Sequence, residues 1–443
     1  MQNLIKIQNY NYLIINVLFI LLPVAFILGN FYTNLNIILI SLYTLFFYWK
    51  KKKYFKFNFF DKIITLFFIY TICVLLINFI EAKISGKVFS QFIINKSFFY
   101  LRYYFLYVSL RLLINNNIIK FNWFFLSCTF FSIFVCVDIY IQYFFGKDIF
   151  GIEPVMLTAY HAKLGGPFGE ELIAGGYIQR FFLFAFLLPT FLNLKKKFFI
   201  TSIQLLLILI FTYGIILSGN RMPFVLFIFS IFMFAMFDKN LKKYLIHFIL
   251  ISIFVLTFLY NKNEKFRIRF ESFHGSINNL TSIFITKSSP LKSGAYVQEV
   301  YGFLETWPKK RFFGGGVKSY RINCVQLNKD IPFKIMPTCN NHPHNYYFEI
   351  LVDLGLFGFL IILILYFSVL HKLFFKKYIF NSHDGSNIHL LTFFLLFIVE
   401  LFPIRSSGSF FSTNNAAFIF VILAVLISLI DKYDEEEKKE KSI

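Results

Sequence analysis

Residues 198–237 read FFITSIQLLLILIFTYGIILSGNRMPFVLFIFSIFMFAMF: an apolar run at 198–217, a polar hairpin from Ser218 to Pro223, and a second apolar run at 222–237. A helix rises about 1.5 Å per residue, so roughly 20 apolar residues match the hydrocarbon thickness of a bilayer. Two such runs joined by a short hairpin need a solvent other than water on both flanks. The same unit recurs along the 443 residues, giving twelve spans at 11–29, 35–49, 62–80, 97–114, 121–145, 172–192, 198–217, 222–237, 244–260, 347–370, 388–404 and 414–430. The expectation is an all-α polytopic membrane protein with about twelve transmembrane helices. Composition agrees: 58% of residues are apolar and 15% charged, against about a quarter charged in soluble chains. Phe, Ile, Asn and Lys share AT-rich codons, so the clustering carries this reading rather than the totals.

The net charge of +21 suits nucleic acid at first sight. Its distribution excludes that class: no basic face with interleaved stacking aromatics stands outside the apolar runs. Lys50–Lys53, Lys195–Lys197, Lys239, Lys242, Lys243, Lys372, Lys376 and Lys377 crowd alternate breaks, whereas Lys83, Lys147, Arg221 and Arg405 are scattered over the others. Cytoplasmic retention of positive charge then places both termini inside. The first run has no clear small-x-small cleavage site and reads as a retained span. Five units result: 1–145 with five spans; 146–260 with an outer loop and spans six to nine, carrying Arg180 and Arg221; 261–346, a large periplasmic loop between spans nine and ten; 347–430 with spans ten to twelve; and 431–443, a mixed-charge tail expected to be disordered in the cytoplasm.

Long connections between packed elements tend to carry function, and the two long outer loops differ in content from the spans. In the larger one, Val297, Val300, Tyr301, Leu304 and Trp307 recur at helical spacing with Gln298, Glu299 and Glu305 on other faces. This predicts an amphipathic helix at the membrane surface or against the spans, ended by Pro308. Gly314-Gly315-Gly316 follows, either bringing backbone close to a ligand or forming a flexible turn.

Polar residues at the mouths of spans are the candidate site. Arg221 in the hairpin either meets lipid phosphate or aims a fork of donors at a diphosphate. Glu170 and Glu171 precede the sixth span, and one of them complements its helix dipole. Arg180, further into that span, pairs with one of these acids or binds ligand. His342 and His344 stand where the tenth span begins, with Asn345 next and Glu349 and Asp353 in the first turns. A histidine titrating near neutrality is a natural base for a sugar hydroxyl, or else it hydrogen-bonds the helix start. Zinc on Cys339, His342 and His344 is the competing reading, cramped by Pro343. Cys324 and Cys339 share the outer loop and pair as a disulfide if that face is oxidising. Cys73, Cys128 and Cys136 fall in spans as small apolar packing residues, and Arg102, Asp138 and Glu400 should face the protein interior.

Three segments together resemble the O-antigen ligase and O-antigen polymerase superfamily of bacterial envelope glycosyltransferases: Ser218-Gly219-Asn220-Arg221, Phe312–Arg321 with its glycine run, and His342–Gly355 entering the next span. The Gly169-Glu170-Glu171 segment with Gly176 and Arg180 also looks like a family element. The resemblance covers roughly residues 150–370. It implies a metal-independent, cofactor-free glycosyltransferase of the inner membrane with a GT-C-like helical core, acting on the periplasmic side on a glycan linked through pyrophosphate to undecaprenol. By the same resemblance Arg221 binds the pyrophosphate, and His344 orients or deprotonates the acceptor hydroxyl with Asn345 beside it. Arg180, Glu170 and His342 are further contacts to the pyrophosphate or glycan. Family members also use an outer-loop arginine, and Gly294–Val297 offers none. Arg321 is the first substitute, then Arg269, Arg267 and Arg311. The chemistry is consistent with that outline, since cleaving a sugar–pyrophosphate bond develops negative charge that fixed guanidinium groups stabilise, and no nucleotide loop or metal-ligand cluster is seen.

The resulting expectation is a ligase with a lipid A-core acceptor, ahead of a polymerase extending a lipid-linked glycan and of a protein O-oligosaccharyltransferase. Besides donor and acceptor, only membrane lipids are expected as partners. From another class, a lipid-glycan flippase or transporter would place charges near the midplane, interrupt its helices and repeat its halves; no internal repeat is found.

Overall fold

The computed structural model describes residues 12–51, 57–158, 161–191, 197–237, 295–329, 339–375, 388–405 and 408–440, with scattered positions between 250 and 271. Apart from one antiparallel pair, β1 (Val155–Thr158) with β2 (His161–Lys163), the regular structure described is helical. The chain enters through α1 (12–20) and α2 (Leu22–Leu28), then α3 (Asn30–Lys51), α4 (Phe59–Ile84), α5 (Gln91–Tyr100), α6 (Arg102–Asn115) and α7 (Phe121–Phe145). After the β-pair come α8 (Ala174–Phe191), α9 (Lys197–Ser218) and α10 (Arg221–Phe237). The rest comprises α11 (Ala295–Thr306), α12 (Tyr320–Leu327), α13 (Tyr346–Phe375), α14 (Ile388–Glu400) and α15 (Thr413–Glu440).

Six helices among the described residues are long and apolar enough to cross a membrane: Asn30–Tyr48, Phe59–Ile84, Phe121–Phe145, Phe198–Ser218, Tyr346–Phe374 and Thr413–Glu436. Arg221–Phe237 and His389–Glu400 are shorter apolar helices. The expected span at 97–114 is divided at Leu101, whose N–H turns to Phe98 O at 3.1 Å in a tighter helical step. The expected ninth span, 244–260, falls largely outside the described residues. Exposed Leu42, Phe46, Leu66, Ile69, Leu206 and Leu209 line outward faces of α3, α4 and α9. So much exposed apolar surface calls for lipid rather than water. By contrast the middles of α8 and α15 are apolar on every face, as central helices must be: Phe181–Leu187 and Ala416–Ile427 are buried throughout.

The expectation of a disordered tail at 431–443 is corrected over 431–440, where α15 runs on to Glu440. Tertiary partners hold the extension: Asp434 pairs with Lys372 at 2.6 Å, and Lys432 donates to Asn117 at 2.6 Å. Deeper, Asp431 joins a buried cluster. Arg111, fully enclosed, donates to both carboxylate oxygens of Asp61 at 2.9 and 3.0 Å, to Ser428 Oγ at 2.8 Å and to Asp431. Asp61 also closes a capping box with Asn58 at the start of α4, and Asn58 donates to Asp431 at 2.8 Å. The cluster thus ties α4, α6 and α15 together at one end of the bundle.

At the other end the glycine run interlocks with α13. That helix is broken at Gly355, where φ is 67° and ψ −170°, backbone that a side chain would strain. Into the break fits the chain before α12: Gly315 N–H donates to Val352 O at 3.1 Å, Gly316 N–H to Asp353 O at 2.8 Å, and Leu356 N–H returns to Arg311 O at 2.9 Å. A Cβ on Gly314 would sit 2.5 Å from the Asp353 carbonyl carbon. The Asp353 carboxylate finishes the clamp, accepting from Lys318 N–H, Ser319 Oγ and Tyr320 N–H at 2.7, 2.9 and 3.0 Å. The run is therefore neither a flexible turn nor a ligand loop. It is the packed joint that fixes where Lys318 and Arg321 begin.

Candidate functional site

At this glycine-clamp end a cavity of about 930 Å³ opens between the Ser218–Pro223 hairpin, the start of α8, α11, the approach to α13 and the loop before α15. Close backbone approach brings the hairpin to it: a Cβ on Gly175 would lie 2.5 Å from Ser218 Oγ and 2.7 Å from Asn220 Cβ, so only glycine lets α8 and the hairpin touch. Arg221 then stands exposed at the first turn of α10, lining the cavity and making no hydrogen bond or ion pair among the described residues. A cation at a helix N-terminus opposes the helix dipole, so nothing local accounts for it.

Across the cavity His344 sits at φ 49°, outside the usual region for a residue with a side chain. Its Nε2 lies 3.3 Å from Glu299 Oε1, and Asn340 Nδ2 donates to that same oxygen at 2.8 Å. Burial pushes the Glu299 carboxyl up to about 7 and holds the His344 imidazole below its ordinary value. His342 lies against His344 with ring centroids 4.1 Å apart and planes tilted by 38°, and burial, helped by His344, Lys318 and Arg321, pushes its pKa down to about 3. Both rings are therefore neutral at pH 7. Lys318 and Arg321 complete this wall; burial lowers the Lys318 ammonium, and Arg321 adds to the effect.

The floor is a closed network. Arg180 is bidentate to Glu400, with Nε to Oε2 at 3.1 Å and Nη2 to Oε1 at 2.6 Å, and also donates to Asn415 at 2.6 Å. Arg405 reaches the same carboxylate at 2.8 Å, and Tyr346 OH donates to it at 2.9 Å. Two guanidinium groups share one carboxylate, so the floor keeps a net positive charge even though its hydrogen bonds are made. With Lys163, Arg221, Lys318 and Arg321 on the walls against Glu171 and Glu299, the cavity is strongly cationic. It suits an anion with several oxygens.

Residues 205–363 match a family model described as O-antigen ligase. That stretch is about a third of the chain, and over it the sequence is similar to the O-antigen ligase and polymerase superfamily. No curated protein matches the sequence. The match supports a membrane glycosyltransferase of the ligase or polymerase kind, and the matched stretch holds Arg221, Glu299, Lys318, Arg321 and His344. Arg180 and Arg405 reach the same cavity from outside it.

The candidate residues separate by position. Arg221, His344, His342, Arg321 and Arg180 meet at the cavity. Arg180 pairs with Glu400 rather than with Glu170 or Glu171, because it faces inward from α8 toward α14. Glu171 lines the cavity, whereas Glu170 is exposed outside its lining. Asn345 is buried behind it: its Oδ1 accepts from Tyr347 and Phe348 N–H at 2.9 and 3.2 Å, capping α13, and its Nδ2 donates to Pro403 and Arg405 carbonyls. Arg269 lies outside the described residues. Arg267 is exposed, and Arg311 stacks over Trp307 at 5.3 Å; neither lines the cavity. Cys324 and Cys339 form a disulfide, Cα atoms 5.6 Å apart, which removes Cys339 from the zinc alternative. Sequence reasoning missed Lys318, Arg405 and the Glu299–His344 contact. Only the polar face assigned to Glu299 hinted at the last.

Proposed function

We propose that the protein moves a glycan from undecaprenyl pyrophosphate to an acceptor hydroxyl on the periplasmic face of the inner membrane, as an O-antigen ligase with a lipid A-core acceptor. The observation that carries this is the meeting of Arg221 and His344, remote in sequence, at one cationic cavity of about 930 Å³. Arg221 binds the diphosphate, with Arg321 the second contact. The acceptor oxygen bonds to the anomeric carbon as the bond from that carbon to the diphosphate oxygen breaks. The leaving group takes the electron pair, and its charge develops where guanidinium groups already stand. The proton of the acceptor passes to neutral His344. The pyrophosphate bond stores the energy, and the reading assigns no step to a metal or cofactor. The twelve spans, cytoplasmic termini and GT-C-like core belong to this same proposal, supported by the crowding of lysines in alternate breaks of the sequence.

Purified protein in proteoliposomes, given lipid-linked glycan, lipid A-core and a chelator, should yield the glycosylated lipid. Transfer only to a second lipid-linked glycan would make it a polymerase, and transfer only to Ser or Thr of a protein an oligosaccharyltransferase. Movement of lipid-linked glycan between leaflets with no transfer would contradict the enzyme.

A further inference from the structure

We infer that Glu299 is the positioning residue of the catalytic histidine, forming a carboxylate–imidazole pair that the outer-loop helix α11 delivers to the site. The inference rests on His344 acting as the base in the proposed transfer.

Four observations carry it. The Glu299 side chain is 9% exposed and lines the cavity with its Oε1 3.3 Å from His344 Nε2. Asn340 donates to that oxygen at 2.8 Å, so the carboxylate has a fixed direction. The His344 backbone adopts a positive φ of 49°, a conformation that costs free energy and persists only when its surroundings hold it. Finally, Glu299 comes from α11, whose apolar residue Phe303 packs into a small cluster with Tyr320, Cys324 and Val352, closed by the Cys324–Cys339 disulfide. Through Cys339 and Asn340 the platform is also fastened to the segment that carries His344, which fixes the carboxylate and the imidazole relative to each other.

The chemistry follows from the contact. A neutral imidazole that turns its Nε2–H toward Glu299, 3.3 Å away, carries its lone pair on Nδ1. Nδ1 takes the acceptor proton as the new C–O bond forms and the bond to the diphosphate breaks, and the imidazolium so made lies against a carboxylate that offsets its charge. Glu299 itself takes up no proton in this step. A carboxylate in this place also selects the tautomer, which a histidine alone would not.

A pH dependence results. The titratable or charged groups facing Glu299 are His344 and His342 from the approach to α13, Tyr320, Lys318 and Arg321 around the start of α12, and Arg221, Lys163 and Arg405 across the cavity. Glu299 ionises near 7 because it is buried. Below that pH its carboxyl is protonated and no longer accepts from the imidazole as an anion. The rate should therefore rise with pH through about 7 and level off above it.

The test is the pH–rate profile of transfer in proteoliposomes for unsubstituted protein, Glu299→Gln, Glu299→Asp and His344→Ala, with thermal midpoints recorded for each. Glu299→Gln should lower kcat roughly 10- to 100-fold at unchanged donor KM and remove the limb near pH 7, while Glu299→Asp restores part of both. An unchanged profile and kcat in Glu299→Gln, beside a dead His344→Ala, would overturn the pair and leave the base intact. Full rate in His344→Ala would instead sink the underlying base. Should Glu299→Gln be poorly folded, Asn340→Ala carries the same test: loss of kcat with a shifted limb supports the pair, and an unmoved limb overturns it.

Discussion

The two ends of α15 hold the same ingredients in opposite states. Around Asp431 the guanidinium of Arg111 is enclosed, with carboxylates of Asp61 and Asp431 and hydroxyl and amide oxygens of Ser428 and Asn115 as partners. Around Asn415, roughly 24 Å away along the helix, Arg221 stands at the cavity with no ionic partner among the described residues, in a lining it shares with Lys318 and Arg321. A buried charge with all its partners is a fastener, whereas a cluster of cations gathered at an open cavity costs repulsion that only an anion relieves. Arg180 and Arg405 on Glu400 stand between the two: internally satisfied, yet lining the cavity and leaving it positive.

Substitutions should separate these states. The largest effect is expected on the closed cluster, where Arg111→Ala strands two carboxylates and should cost about 3–5 kcal/mol, read as a much lower thermal midpoint in detergent. Retained stability there would blur the distinction between the ends. Arg221→Ala should leave the midpoint unchanged and reduce transfer by about 10²–10³-fold. A loss of stability of similar size would mean that Arg221 is a fastener too. Between them falls the disulfide: Cys324→Ser opens a 15-residue separation and should remove about 3 kcal/mol from the platform under Glu299, seen as faster proteolysis of the outer loop. The smallest change is Asn345→Ala, which loses the cap of α13 for about 1 kcal/mol and should slow transfer only modestly. An effect on rate as large as that of Arg221→Ala would place Asn345 at the reacting atoms instead.

Sequence disclosed the open end better than the closed one. Arg221 and His344 were legible because each interrupts the pattern at the mouth of an apolar run, where a charge or imidazole is conspicuous. Asp61 and Arg111 were hidden among basic breaks, since nothing local says that a residue beside Lys62 meets one fifty positions away. Arg180 was expected to pair with its neighbours Glu170 or Glu171, and the helix turned it toward Glu400 instead. The tail after Asp431 read as disordered because its mixed charge supplies no apolar stripe, whereas its partners lie on other helices. In the glycine run local freedom was visible, but the break at Gly355 that consumes it was not.

Equilibrium binding of a labelled undecaprenyl-pyrophosphate-linked glycan to the purified protein addresses the cavity most directly. Arg221→Ala should weaken binding at least tenfold, while His344→Ala should bind the donor as tightly as the unsubstituted protein and fail to transfer it. Unaltered donor affinity in Arg221→Ala would contradict the assignment of this cavity to the diphosphate.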